Sequence, residues 1–434
     1  MIPPPATRAP SAGLPLAYLT TAAAAFVTAA VGVPWLATEL AGHYYQARIL
    51  ALTHLVTLGW VTVTIMGASY QLIPIVLARP VWSERLARWQ LALLVAGVGG
   101  MVGHFWLGQW SGLVWSAGLV GLGTLAHLVN AALSVRGLAR WTFTARLVTL
   151  ALAGLALTAL FGLALGADKL WRFLPGTLFA NLHAHVHLAV LGWVLPMVIG
   201  VAARVYPMFL LAQEPAGWGG RIQLWGLALG VPAVVAGLLV QRPALVVIGA
   251  LAVVAAVAGH LAWVAGMVAH RKRPALDWGL RFVLTGAAFL APASLLGLAL
   301  AAEVVAGPRA ALAYAVVVLG GWVSLTIVGM MLKIVPFLVW YRAYGPQVGR
   351  VAVPTLAQLG WPAAEGAAYV LLTGGVVALA LAVGTGEAWV IRAAGWPVAA
   401  GALLFAATLG RVLHHLMPCA ARSRAASVSR ARAS

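Results

Sequence analysis

Three histidines stand at alternate positions, His183, His185 and His187, inside an apolar stretch at 178–211. Neutral imidazole is the usual protein ligand for haem iron, copper and zinc, and it needs no thiolate beside it. On a helix His183 and His187 share one face, whereas His185 points almost the opposite way. One metal ion therefore cannot take all three from a regular helix, but two sites on opposite sides of the helix can. Interfacial hydrogen bonding is the alternative interpretation.

These histidines belong to a chain of 434 residues that is 63% hydrophobic and 8% charged. Soluble domains carry about 25% charged residues, so a chain this apolar needs lipid as its main solvent. Twelve apolar stretches occur between residues 12 and 416, each of about 20 residues or more, and about 20 residues are enough to span a bilayer. Because Ala, Leu, Val and Gly dominate them, helices are favoured over barrel strands. The sequence predicts an all-α, polytopic membrane protein with twelve transmembrane helices.

One motif recurs in the second, sixth and tenth stretches: LGWVTVTIMGASYQLIP at 58–74, LGWVLPMVIGVAARVYP at 191–207 and GGWVSLTIVGMMLKIVP at 320–336. The copies are offset by 133 and then 129 residues, and their tryptophans, glycines and prolines stay in register. This spacing predicts three pseudo-symmetric four-helix repeats. Glycines on one helix let a neighbour approach closely, so we expect the motif to serve packing.

We expect three regions in the chain: a cytoplasmic tail at 1–11, a membrane domain at 12–416 and a basic cytoplasmic tail at 417–434. The three repeat units are approximately 12–134, 144–269 and 277–416. Most basic residues lie in the loops after the second, fourth and eighth stretches and in the C-terminal tail. By the positive-inside rule both termini are cytoplasmic, and we expect a multi-pass protein of a bacterial-type inner membrane. The net charge of +19 is spread over short loops, so we expect the lipid bilayer, and no nucleic acid, as a partner.

Further histidines fall near the depth of the first three. His54 occupies the repeat position of His187, and 17 residues separate His187 from Arg204. That separation is about 26 Å of helix, which puts His54 and His187 near the outer edge of the hydrocarbon. His43, in the first outer loop, and His104, at the outer end of the third stretch, are additional metal-ligand candidates.

Other polar residues follow the repeat as well. Gln71, Arg204 and Lys333 each lie three residues before the proline of their copy. Long cationic side chains at inner helix ends can snorkel to the headgroups, and pairing with a buried carboxylate or propionate is the alternative. His127 and His260 share the 133-residue offset, and we expect them to be hydrogen-bonded packing residues.

Several other chemistries are disfavoured by the composition. The single cysteine, Cys419, can build neither a disulfide framework nor a thiolate metal site. The eight acidic residues fall at the ends of apolar stretches or in loops, whereas ion-coupled transporters normally place one at membrane depth. We find no phosphate-binding loop and no Ser/His/Asp arrangement.

These features together resemble the catalytic subunit I of the haem–copper oxidases, a superfamily that includes cytochrome c oxidase, the cbb-type oxidases and the nitric oxide reductase large subunit. The similarity covers 12–416. Its most specific pieces are THLVTLGWVTVTIMGASYQLIPIVL at 53–77 and HAHVHLAVLGWVLPMVIGVAARVYPMFL at 183–210.

The resemblance implies cofactors and ligands. His54 matches the second-helix histidine that is an axial ligand of the low-spin haem, which makes haem b the expected cofactor. The sixth-helix copper ligand of the family falls among His183, His185 and His187, so copper is a second expected cofactor.

Two departures from the family pattern leave the oxidase centre incomplete. The segment at 220–241 lacks the histidine pair of the seventh helix. The segment at 311–331 offers Tyr314 and Val316 where the family carries His-x-His. The oxygen-reducing centre does not survive such losses, whereas the fold can.

We therefore expect a haem- or copper-binding membrane protein in respiratory electron transfer, metal handling or nitric oxide and oxygen chemistry. If it is an enzyme, it is an oxidoreductase, and respiratory-chain subunits or a cytochrome are its candidate partners. Its expected cofactor residues are His54, His183, His185 and His187, with His183, His187, His104 and His43 as metal ligands. A transporter with a histidine-lined vestibule and a non-catalytic structural subunit are the alternatives.

Overall fold

The computed structural model describes residues 12–76, 79–138, 140–213 and 217–417. This part of the chain contains twelve helices that are long and apolar enough to cross a membrane, and no β-strand. Their bounds are α1 Gly13–Leu40, α2 Ala47–Pro74, α3 Glu84–Leu107, α4 Trp110–Val135, α5 Phe143–Trp171, α6 Leu178–Leu210, α7 Trp218–Leu239, α8 Pro243–Ala269, α9 Trp278–Ala301, α10 Pro308–Gln347, α11 Pro362–Thr385 and α12 Ala388–His414. The predicted all-α, polytopic membrane fold is confirmed. The predicted tails, 1–11 and all but the first residue of 417–434, lie outside the described residues.

The three helices that carry the repeated motif, α2, α6 and α10, form the centre of the bundle. In their most apolar windows 56–61% of residues are buried, compared with 22–50% in the other nine spans. Each packs against the helix before it and the helix after it in the chain, and contacts of α4 with α5, α8 with α9 and α12 with α1 close a ring. The same neighbour relations thus recur in all three predicted units.

Glycines of the motif bring each central helix close to the first helix of its own unit. A Cβ on Gly67 would collide with Tyr18 of α1. At Gly200 it would lie 2.8 Å from Leu147 Cβ of α5, and at Gly329 it would lie 2.5 Å from a backbone oxygen of α9. The expected packing role of these glycines is confirmed, because no larger residue fits these contacts.

A short π-helical segment interrupts each central helix at the same place in the repeat. The segments are Leu55–Thr62, Leu188–Val194 and Val316–Ser324. Each contains the Gly-Trp pair of the motif, and His54 and His187 immediately precede the first two. A π segment changes the rotation of the turns on either side of it. It therefore decides which neighbouring helix His54 and His187 face. Both histidines lie on the side of the bundle where α2, α6 and α10 begin, which we call the histidine side.

Candidate functional site

The start of α6 is held firmly, and this orients the three alternating histidines. The Thr177 side chain accepts a hydrogen bond from the Ala180 N–H at 3.2 Å, which caps the helix. The Asn181 side chain donates to the Pro175 carbonyl at 2.9 Å. The α-helical turns then run from Leu178 to His187 before the π segment begins.

His54 of α2 has one ring nitrogen fixed and the other available. Its Nδ1 lies 2.7 Å from the Leu50 carbonyl oxygen. A carbonyl only accepts hydrogen bonds, so in the neutral ring Nδ1 carries the hydrogen and Nε2 keeps its lone pair. The ring stacks on Phe105 of α3, with centroids 4.7 Å apart. This is the arrangement of metal-binding histidines, whose second nitrogen commonly donates to a backbone carbonyl.

His185 is the member of the trio that comes near His54. The two rings are close enough to interact electrostatically. The His185 ring lies edge-on to Phe161 and packs against Gly162, both of α5. Its Nδ1 is buried without a hydrogen-bond partner among the described residues. A buried, unsatisfied imidazole nitrogen is costly, so this ring is a candidate for an additional ligand.

His187 points to the other side of α6. Its Nδ1 lies 2.8 Å from the His183 carbonyl oxygen, and its ring lies parallel to that of Tyr314 on α10, with centroids 6.3 Å apart. The predicted split of the trio between two sides of α6 is therefore confirmed. Tyr314, which replaces a histidine of the family pattern, is a neighbour of His187 and not of His185.

His183 belongs to an aromatic cluster with the loop between α1 and α2. Its Nε2 lies 2.9 Å from the Tyr44 hydroxyl, and Phe179 and His43 pack around the same tyrosine. Burial raises the pKa of the Tyr44 hydroxyl, which keeps it protonated for this hydrogen bond. His43 Nδ1 accepts the Tyr45 N–H at 2.9 Å. These contacts match the interfacial hydrogen bonding that the sequence left open for this histidine.

The predicted metal ligands do not assemble into one centre. His104 packs against Gly112 of α4, with its Nδ1 buried and unpartnered in the described part of the chain. Within the described ranges, no group of three or more His, Cys, Asp or Glu side chains is arranged to hold a metal ion. His54 and His185 come from different helices and could supply two ligands to one haem iron, whereas a multi-histidine copper site would need more ligands than this pair offers.

A charged pocket of about 430 Å³ lies at the histidine side, lined by Asp168, Lys169 and Arg172 among others. Lys169 lies 2.5 Å from the Tyr45 hydroxyl and 4.2 Å from the centre of the Trp110 ring. It is also close enough to interact electrostatically with His54. Arg172 lines the pocket in a left-handed backbone conformation at the end of α5. Nothing in the sequence distinguishes Lys169 and Arg172 from other loop cations, because only the fold brings Lys169 beside Tyr45 and Trp110.

On the opposite side of the bundle Lys333 has a carboxylate partner. Its Nζ lies 2.5 Å from Asp277 Oδ2, which also accepts a hydrogen bond from Arg273 at 3.0 Å. Burial raises the pKa of Asp277, but hydrogen bonds from Lys333 and the Leu280 N–H and the nearby cations outweigh it, so the pKa falls below its ordinary value. Lys333 thus pairs with a carboxylate, but this carboxylate is partly exposed at the start of α9 and not buried as the alternative required.

His127 and His260 are both packed in the core as expected, and the expected hydrogen bond is observed for His127. Both are at most 2% exposed. His127 Nδ1 lies 3.3 Å from the Tyr70 hydroxyl, and His260 packs beside Tyr206.

Models of known protein families and curated proteins were compared with the chain, and neither comparison gave a match.

Proposed function

We propose that this chain is a haem-binding membrane protein of the haem–copper oxidase subunit I-like fold, with copper as the alternative metal. We place its histidine side at the external face of a bacterial-type inner membrane, with both termini in the cytoplasm. One observation carries the proposal: His54 offers a lone pair on Nε2, and His185, whose Nδ1 is buried without a partner among the described residues, lies within electrostatic range of it.

The two histidines would serve as ligands from separate helices. The Leu50 carbonyl holds the His54 ring in one tautomer, and Phe105 holds its plane. Gly162 leaves room for the His185 ring against α5. A haem at this place would supply one-electron transfer. The nearby Lys169 cation would favour an anionic group on the cofactor.

The direct test is the metal content of the full-length protein, purified after haem-replete expression. We expect about one haem iron per chain and a reduced-minus-oxidised spectrum of a six-coordinate b-type haem. His54→Leu and His185→Leu should each lower the haem content at least about tenfold. His270→Ala is the matched control, because His270 Nδ1 makes the same type of contact, 2.9 Å from the Gly266 carbonyl, outside the site. Less than about one tenth of an equivalent of iron or copper in the unmodified protein would overturn the proposal.

The charged pocket favours a second candidate, a transporter that collects a small anion at the external face. Lys169 and Arg172 supply positive charge, and Asp168 holds the loop by accepting the Leu174 N–H at 2.7 Å. Anion uptake into proteoliposomes that is lost in Lys169→Gln, from protein that contains no metal, would favour this function. Copurification with respiratory subunits that survives His54→Leu would instead favour a structural subunit.

A further inference from the structure

A second site, unrelated to the histidine side, lies within the bundle. An apolar cavity of about 120 Å³ is lined mainly by residues of α2, α4, α5, α6 and α10. It lies toward the ends of α2 and α6 that are remote from His54 and His187, between residues such as Ile73 and Val205. None of the described residues that line it is Asp, Glu, Lys or Arg. An occupant would therefore be neutral, because a charge there would have no counter-ion in the wall.

His127 presents an unused hydrogen-bond acceptor at this cavity. The Tyr70 hydroxyl donates to Gln90 Oε1, and the Gln90 amide nitrogen faces Met66 Sδ at 3.1 Å, so the amide orientation is set. With its hydrogen used, the Tyr70 oxygen accepts from His127 Nδ1 at 3.3 Å and from the Asn130 amide at 3.4 Å. The hydrogen of the His127 ring is therefore on Nδ1, and Nε2 carries the lone pair.

That Nε2 atom is buried without a hydrogen-bond partner in the described structure, and the His127 side chain is 0% exposed. Thr64 of α2 lines the same cavity, and its hydroxyl is buried and unpartnered as well. Buried polar atoms usually have partners, and two such atoms at one cavity indicate a missing hydrogen-bonding occupant.

The size and the other lining residues indicate what that occupant is. A cavity of about 150 Å³ lined by apolar residues binds benzene, so this one takes a molecule of one small ring. Three methionines, Met197, Met330 and Met331, line it, and thioether groups contact aromatic rings favourably. We propose that the cavity binds a neutral, single-ring hydroxylated aromatic molecule of the phenol class. Its hydroxyl donates to His127 Nε2, and the Thr64 hydroxyl donates to its oxygen.

The test compares 4-fluorophenol with fluorobenzene, which has the same ring and no donor. Full-length protein in detergent micelles is dialysed against protein-free micelles, and bound ligand is measured by fluorine NMR. We expect saturable binding of one fluorophenol per chain, about five to ten times tighter than fluorobenzene, as one or two net hydrogen bonds imply. Equal affinity for the two ligands, or no binding beyond micelle partition, would overturn the proposal and leave water as the occupant.

Variants assign the preference to the named atoms. His127→Leu should abolish the preference for fluorophenol while leaving fluorobenzene binding in place, and Thr64→Val should reduce it in part. His260→Leu is the matched control, because His260 is the buried repeat equivalent and is not among the residues that line the cavity. Ala202→Leu, which fills the cavity, should remove both ligands. The comparison of fluorophenol with fluorobenzene in the unmodified protein stands even where a variant does not fold. A preference for fluorophenol that persists in His127→Leu contradicts the proposal.

Discussion

At the scale of single residues, the histidines differ by what occupies their ring nitrogens. His54 and His187 both use Nδ1 on a carbonyl four residues earlier, so both keep Nε2 lone pairs. His183 uses Nε2 on Tyr44 instead. His185 has a buried Nδ1 with no partner in the described part of the chain. Histidines at neighbouring positions thus differ in their capacity to bind a metal, because backbone carbonyls and Tyr44 occupy different ring nitrogens.

Asp277 gives a prediction for pH at this scale. Its folded-state pKa lies below the ordinary value of 3.8, so the ionised carboxylate stabilises the fold above about pH 4 and this contribution is lost as pH falls through the folded pKa. Asp277→Asn should lower the free energy of unfolding by about 1 kcal/mol at neutral pH, since the pair is partly exposed. The difference should shrink as the pH falls below the ordinary value of 3.8 and through the folded-state pKa.

The measurement is thermal unfolding in detergent between pH 3 and pH 7. Glu84→Gln is the control, because Glu84 pairs with Arg88 on an exposed surface, where we expect little effect at any pH. A pH-independent loss of stability in Asp277→Asn would contradict the ion-pair account, because asparagine can still accept the Leu280 N–H and keep the helix cap.

At the scale of elements, the close approach of helix pairs depends on missing side chains. Gly329 of α10 lies against the backbone of Gly279 on α9, and Gly154 of α5 lies against Gly192 of α6. Backbone atoms cannot move aside as a flexible side-chain end can. Gly192 lies inside the π segment of α6, and the π segment of α10 ends five residues before Gly329.

Adding a methyl group at this contact should therefore separate α9 from α10. Gly329→Ala places a Cβ 2.5 Å from the Gly279 carbonyl oxygen, and we expect a loss of about 1–3 kcal/mol in unfolding free energy. Gly374→Ala in α11 is the control, because a Cβ there meets nothing within 4 Å. It should be neutral or slightly stabilising, as helix propensity favours alanine. Equal stability of the two variants would contradict the close-packing account.

At the scale of the whole molecule, the three central helices enclose the polar groups of the core. Trp60 of α2 donates to the Ser324 hydroxyl of α10 at 3.1 Å, which links the first and third predicted units. The histidine pair lies toward one side of the membrane and the cavity toward the other. The proposed function also needs a fixed orientation, because the histidine side is the proposed external face.

Reporter fusions test that orientation. Alkaline phosphatase inserted after Arg172, between α5 and α6, should be active, since that loop is expected outside. The same enzyme after Lys272, between α8 and α9, should be inactive, whereas green fluorescent protein there should be fluorescent. The reverse pattern would place His54 and His185 at the cytoplasmic face.

The sequence by itself determined the twelve spans, the recurrence of the motif and the split of the alternating histidines between two sides of α6. These follow from local regularities, namely span length, hydropathy and the 3.6-residue turn. It also indicated the packing role of the glycines, because only a small residue permits close helix contact.

Only the tertiary structure decided the surroundings of each histidine. The electrostatic proximity of His54 and His185, and the stacking of His187 on Tyr314, depend on which helices are neighbours. The pocket around Lys169 and the cavity at His127 likewise join residues from helices that are distant in sequence. Such sites are set by three-dimensional packing, which no local pattern in the chain specifies.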